Sequence, residues 1–378
     1  MRNIPLTILV LIALALTACG GPTKAGLEAR KAARDRIGKT SSLIVYDQAR
    51  QSFESGQFDR ALVQINEAII RTPEEPKYWV LRGRILLEQG HLEESLKDFQ
   101  KAIAIKPECA EAYYFQGIVH ERWSRDEDAI AAYRKASELD QSKVSYLLAC
   151  AEMLIATKQF DEAEAMLEPR LEYFENNAPM HELLAKLAML KNDPKTAVAH
   201  YNRALLIDPS LPMVMDNLVR AQFAAGQWQD CLVNVRRAQR EGEGGRTPER
   251  MHIEGRCLAM IGRTADARNV FAELTRETPE DAQAWIDLAG VSWQLGEIPR
   301  VRTAAASVLR VAPERYEGYV FEGLIAEQEG DAAAAANWFR KAAELGGANA
   351  DANLLLSSLQ TGSTTQRTAN AESAKTGG

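Results

Sequence analysis

Small and structure-breaking residues recur every 34 positions along most of this chain, and no other feature constrains the fold as tightly. Gly56 and Gly90, Ala68 and Ala102, Pro73 and Pro107, and Gly83 and Gly117 are each 34 apart. Phe99 and Tyr133, Trp79 and Tyr113, and the series Ala129, Ala163 and Ala197 keep the same step. After Gly242-Glu243-Gly244-Gly245 the frame slips by two residues, then resumes with Gly262, Gly296 and Gly330. A period this short describes one small unit that buries its apolar face only by stacking on copies of itself.

Each unit reads as two helices. In Pro76 to Pro107, Trp79, Gly83 and Leu86 recur at helical spacing, and Gly90 ends the first helix. Leu92, Ser95, Leu96, Phe99, Ala102 and Ile103 form the apolar stripe of the second. Pro107 cannot continue that helix and turns Lys106 away from helical geometry. Gly83 and Ala102 are small enough for close helix approach, and a bulky residue there would cost about 1–3 kcal/mol.

The pattern Trp79, Gly83, Gly90, Phe99, Ala102, Pro107 resembles the tetratricopeptide repeat. The resemblance implies an all-α solenoid of about nine helix-turn-helix repeats. Units are expected to start near Ser42, Pro76, Ala110, Val144, Ala178, Pro212, Pro248, Ala282 and Tyr316. The fourth and fifth match less well, with Arg170 where the pattern wants alanine and Glu175 where it wants proline. Pro299 falls at the start of a second helix, where its missing N–H costs nothing. Residues 42–241 then hold six units and 248–360 hold three plus a capping helix over Ala350 to Leu359. Residues 361–378 lack periodicity and read as disordered. The slip at Gly242 to Gly245 is expected to be a flexible joint between two blocks.

In the family, first helices line a binding groove. The resemblance places Tyr46, Arg50 and Phe53 there, then Val80, Arg84 and Leu87, then Tyr114 and Ile118. Farther on it places Met189, Arg220, Phe223, Arg256, Trp293, Val320 and Leu324. Any one of these apolar residues is equally a candidate for inter-helix packing. As a set, aromatic and aliphatic side chains with scattered arginines suit an amphipathic helix or extended segment of a protein partner.

The N-terminus carries a second signal. Arg2 precedes an apolar run, Ile4 to Ala18, that is short for a membrane span. It ends in Leu16-Thr17-Ala18-Cys19, which resembles the bacterial lipobox. The resemblance implies that residues 1–18 are a signal peptide and that Cys19 becomes the lipidated N-terminus of a linker, 19–41. Gly20, and not aspartate, follows, which by the same resemblance implies the outer membrane, facing the periplasm. A buried or disulfide-bonded Cys19, or an uncleaved anchor, are the alternatives. The basic stretch Gly26 to Lys39 reads as a solvated linker helix, with contact to anionic headgroups as the other possibility.

Chemistry-bearing motifs are sparse. His91, His120, His181, His200 and His252 form no close ligand pair, so no metal site is expected. There is no phosphate loop, no dinucleotide fingerprint and no nucleophile elbow, so neither catalysis nor a cofactor or small-molecule substrate is expected. The formal charge of −7 argues against nucleic acid. Cys109, Cys150, Cys231 and Cys257 occupy positions that prefer small residues and read as buried thiols, with a Cys231–Cys257 bridge as the alternative. The sequence therefore points to a lipid-anchored scaffold that holds protein partners in a pilus, secretion or polysaccharide-export assembly. A glycan- or peptidoglycan-binding or an enzyme-activating lipoprotein is the rival reading.

Overall fold

The computed structural model describes residues 23–211, 213–241 and 244–346. Cys19, the leader 1–18, the expected cap at 350–359 and the tail 361–378 lie outside the described residues.

Among the described residues there are eighteen α-helices in nine antiparallel pairs and no strand. The chain is an all-α tetratricopeptide-type solenoid. It divides into two compact units, 1–175 and 176–378. The first holds α1 (Lys24–Glu54), α2 (Phe58–Arg71), α3 (Pro76–Glu88), α4 (Leu92–Ile105), α5 (Ala110–Arg122), α6 (Asp126–Leu139), α7 (Val144–Ala156) and α8 (Phe160–Leu167). The second holds α9 (Ala178–Leu190), α10 (Pro194–Ile207), α11 (Val214–Ala224), α12 (Trp228–Glu241), α13 (Pro248–Met260), α14 (Thr264–Glu277), α15 (Ala282–Gln294), α16 (Ile298–Val311), α17 (Tyr316–Gln328) and α18 (Ala332–Gly346).

The turn inside each pair has one conformation throughout. Gly56, Gly90, Ser124, Lys158, Asn192, Gly226, Gly262, Gly296 and Gly330 all have φ between 55° and 83°. These nine positions follow the 34-residue step and the two-residue slip. Six are glycine because a left-handed residue carries no Cβ penalty there; Ser124, Lys158 and Asn192 bear that penalty.

Packing inside the pairs follows a second rule, a small residue on the first helix and its partner 16 positions on. Gly83 faces Phe99, Gly117 faces Tyr133, Gly255 faces Phe271 and Gly323 faces Phe339, each glycine lying directly against the ring. Where the first residue is larger the second can be smaller: Ala49 with Ile65, Ala151 with Leu167, Val219 with Val235, Ala289 with Ala305, all buried. Ser95 and Phe99 are buried as the α4 stripe requires, and the Ser95 hydroxyl donates to the Gly83 carbonyl at 2.7 Å. Cys231 sits at the matching place in α12 and its thiol donates to Val219 O at 3.4 Å. Cys231 and Cys257 are fully buried free thiols in contact with each other, and burial raises the Cys150 thiol to about 11.

Two departures from the sequence expectation, and one irregular pair, have physical causes. Helix α1 starts at Lys24, well ahead of Ser42, because Thr23 caps it through Gly26 N at 3.1 Å and nothing before Glu54 breaks it. The irregular pair is the fourth: α8 stops at Leu167, and Pro169 lies in a 3-10 turn, Glu168–Arg170. The division between units falls just beyond, at Glu175, and not at Gly242 to Gly245. At the latter loop the buried Arg250 donates to Ala238 O at 3.1 Å and Gly245 O at 2.6 Å, and pairs with Asp216 at 2.7 Å. That arginine ties α11, α12 and α13 together across the frame slip.

Candidate functional site: the first-helix faces

In the first unit an aromatic ledge runs across α1, α3, α5 and α7. Tyr46 stacks on buried Tyr78 with ring centres 5.1 Å apart, and the Lys77 ammonium lies 5.1 Å from the Tyr46 ring. Beside them the Arg84 guanidinium is sandwiched between Phe53, at 5.0 Å, and Phe115, at 4.8 Å. Its Nη1 also meets Glu111 at 3.3 Å. Tyr114 contacts Phe115, Tyr133 and Tyr146 with ring centres 4.8–5.6 Å apart. Burial and nearby carboxylates raise the Tyr46 and Tyr114 hydroxyls above their ordinary value, and Tyr146 to about 12, so all three stay neutral hydrogen-bonding groups. Cation–π contact with a half-buried guanidinium contributes about 0.5–2 kcal/mol and fixes its plane.

Tyr46, Phe53, Arg84 and Tyr114 are thus half-buried on one ledge, with Lys77, Glu111 and Phe115 added to it by the structure. Leu87 and Val80 are not part of it. Each is 2 % exposed and belongs to the core around Phe99, because the buried side of a first helix is wider than the family pattern suggests. Ile118 packs half-buried against the same core. Arg50 is exposed and, among the described residues, bonds along its own helix to Glu54 at 3.0 Å and Asp47 at 3.9 Å.

In the second unit the arginines link successive first helices. Arg220 makes a two-pronged bond from α11 to Glu249 of α13, at 2.9 and 3.1 Å. Arg256 of α13 does the same to Asp287 of α15, at 3.0 and 3.2 Å. His252 lies between Asp287, at 3.1 Å, and Asp281, at 2.8 Å. Both ring nitrogens face carboxylates, so the imidazolium fits best, and the bond to Asp287 holds its pKa above the ordinary value. Phe223 packs edge-on against Trp228 at 5.1 Å, and Trp293 packs half-buried on the same core. Met189, Val320 and Leu324 likewise lean half-buried on their local cores.

The acidic partners Glu111, Glu249 and Asp287 were not legible as such, since each lies 27 to 31 residues beyond its arginine. The one signal was the repeat itself, which brings a first-helix residue next to another about one period on. On α9 and α10, His181 and His200 share a 3.0 Å Nδ1–Nδ1 contact, and burial together with His181 lowers the His200 pKa. Among the described residues no group of three or more His, Cys, Asp or Glu is placed to hold a metal ion, and no helix is long and apolar enough to cross a membrane.

Stacked helix pairs presenting a first-helix ledge define a helical-repeat protein. Tetratricopeptide-repeat profiles match residues 46–108, 87–143, 261–300 and 293–351, with further matches at 127–187 and 178–211. The chain belongs to the tetratricopeptide-repeat family, a family of protein-interaction scaffolds. It is 22% identical to tetratricopeptide repeat protein 8 of Caenorhabditis elegans over 234 residues, 62% of this chain and 46% of that protein. It is 24% identical to cellulose synthase operon protein C of Xanthomonas axonopodis pv. citri over 275 residues, 69% of this chain and 18% of that protein. The chain spans less than half the length of these two relatives. The crystal structure of PilW, a type IV pilus biogenesis factor, aligns with a TM-score of 0.44 at 21% identity, over 53% of this chain and 93% of that one.

Proposed function

We propose that the chain is a lipoprotein anchored through Cys19, whose first-unit ledge binds and positions a protein partner in a cell-envelope assembly. The observation that carries the binding reading is the ledge itself. Phe53 and Phe115 hold the Arg84 guanidinium between their rings, and half-buried Tyr46 and Tyr114 lie on the same ledge. Pre-ordered aromatic and arginine side chains are the groups that dominate interface energies. The anchor reading rests on Leu16-Thr17-Ala18-Cys19. Pilus, secretion and polysaccharide-export assemblies all fit such a scaffold, and the likeness to cellulose synthase operon protein C favours the last.

The test pairs Tyr46→Ala with Arg84→Gln and reads capture of partners from envelope extract beside a thermal melt. Lost capture with an unchanged melt supports the reading. Capture that survives, or binding to immobilised glycans in its place, overturns it. The anchor is tested separately by the mass of the membrane-fraction protein. An unmodified Cys19, or a mature chain starting elsewhere, refutes it.

A further inference from the structure

The part of α1 ahead of the repeats, Lys24 to Ser41, has no helix packed along most of its length. At 1.5 Å per residue it projects about 27 Å. Leu27, Lys31, Arg34, Ile37 and Ser41 follow one another at steps of three and four, and Arg30 lies three beyond Leu27 and four before Arg34, so the six fall on a single helix stripe. Leu27 is 52% and Ile37 70% exposed, and Arg30, Lys31 and Arg34 are exposed between them. No hydrogen bond or ion pair among the described residues engages the side chains of these three cations. Glu28 and Asp35 fall outside the stripe by register.

Charge is segregated to match. Residues 24–41 carry six Lys or Arg against two acids, a net +4. The chain as a whole carries −7, and Arg2 accounts for one further positive charge, which leaves −12 for residues 42–378.

We propose that this stripe lies on an anionic lipid surface, with Arg30, Lys31 and Arg34 at the headgroups and Leu27 and Ile37 at the acyl boundary. The acidic repeats are repelled from the same surface, so the helix acts as a spacer that holds the ledge away from the lipid. Each Lys or Arg close to an anionic bilayer tightens binding about fivefold, so the three together contribute on the order of a hundredfold. The geometry rests on the anchor reading only in that Cys19 would tether the same end, five residues before Lys24.

The test uses the full chain carrying Cys19→Ser, so that no acyl chain contributes, and its failure is separate from failure of acylation. Amide exchange in residues 24–41 is followed with vesicles of phosphatidylcholine alone, with added phosphatidylglycerol, and with a soluble polyanion. The expected result is roughly tenfold slower exchange on phosphatidylglycerol vesicles only, reversed by about 0.5 M salt. The Arg30→Gln, Lys31→Gln, Arg34→Gln variant should lose that protection while the repeats keep theirs. Equal protection on both vesicle types, protection retained by the variant, or protection by the polyanion alone would overturn the proposal.

Discussion

Gly83→Ala tests whether the pairs are set by the small-residue and ring rule. An ideal Cβ on Gly83 would stand 2.5 Å from Phe99 Cε1 and 2.9 Å from Cδ1 and Cζ. Carbon atoms in contact prefer about 3.5–4.0 Å, so the ring would have to retreat by roughly 1 Å. Phe99 is 0% exposed and closed in by the core around Val80, Leu87 and Val119, so it has nowhere to go. Overpacking costs about 1–3 kcal/mol, and the better helix propensity of alanine returns about 1 kcal/mol. With the overlap near its maximum, the net loss should be about 1–2 kcal/mol. Phe99→Leu alone leaves a cavity at a cost of about 1–2 kcal/mol. The double variant recreates the pairing that Ala151 and Leu167 already make, both fully buried. It should therefore be less destabilised than the sum of the singles by about 1 kcal/mol, a coupling ordinary for residues in contact. A repeat array need not unfold in one step, so amide exchange in α3 and α4 is the assay, where about 1.4 kcal/mol is a tenfold rate. Strict additivity, or a Gly83→Ala that simply stabilises the helix, would refute the rule.

Three further outcomes are expected. Lys158→Gly should stabilise the fourth pair by about 0.5–1 kcal/mol, since Lys158 has φ +62° and glycine removes that strain at some cost in chain entropy; urea unfolding of the first unit checks it. Arg250→Ala should cost about 3–5 kcal/mol and speed cleavage near residue 244 by a glutamate-specific protease, because it strands Asp216 and two carbonyls. His252→Gln should lose stability most at acid pH. The folded pKa of His252 is raised, so its contribution is complete below the ordinary histidine value and fades as pH rises through the folded one; parallel melts from pH 5 to pH 9 should converge at the alkaline end.

The fold was legible because the repeat leaves marks that local physics requires. A left-handed turn selects Gly90, Gly226 and Gly296, and a pair interface with no spare volume selects Gly83 opposite Phe99. Lys158 and Asn192 take the same turn without being glycine, at a cost in strain, while the fourth and fifth units looked weak for another reason, Arg170 and Glu175 standing where the pattern wants alanine and proline. The helix over Gly26 to Lys39 was legible as a linker, but its continuity was not: the repeat register puts a unit start near Ser42, and the chain runs through that point as one helix capped at Thr23.

The groove was legible less completely, and the arginines explain why. Read along the sequence, Arg84, Arg220 and Arg256 are isolated cations offered to a partner. In the folded chain each faces a carboxylate from the next first helix: Glu111, Glu249 and Asp287. These pairs are partly exposed, so each stabilises the stack by no more than about 1 kcal/mol. Their larger consequence is for binding. An arginine held by one carboxylate can meet a partner's acid only by exchanging it or sharing its remaining donors, so charge attraction from this face is modest. What the first unit offers besides those charges is the half-buried ring surface of Tyr46, Phe53, Tyr114 and Phe115, each already braced by a neighbouring ring or cation. Specificity for a partner should therefore follow apolar shape on that ledge, with Arg84 and Glu111 fixing register, and binding should depend only weakly on salt.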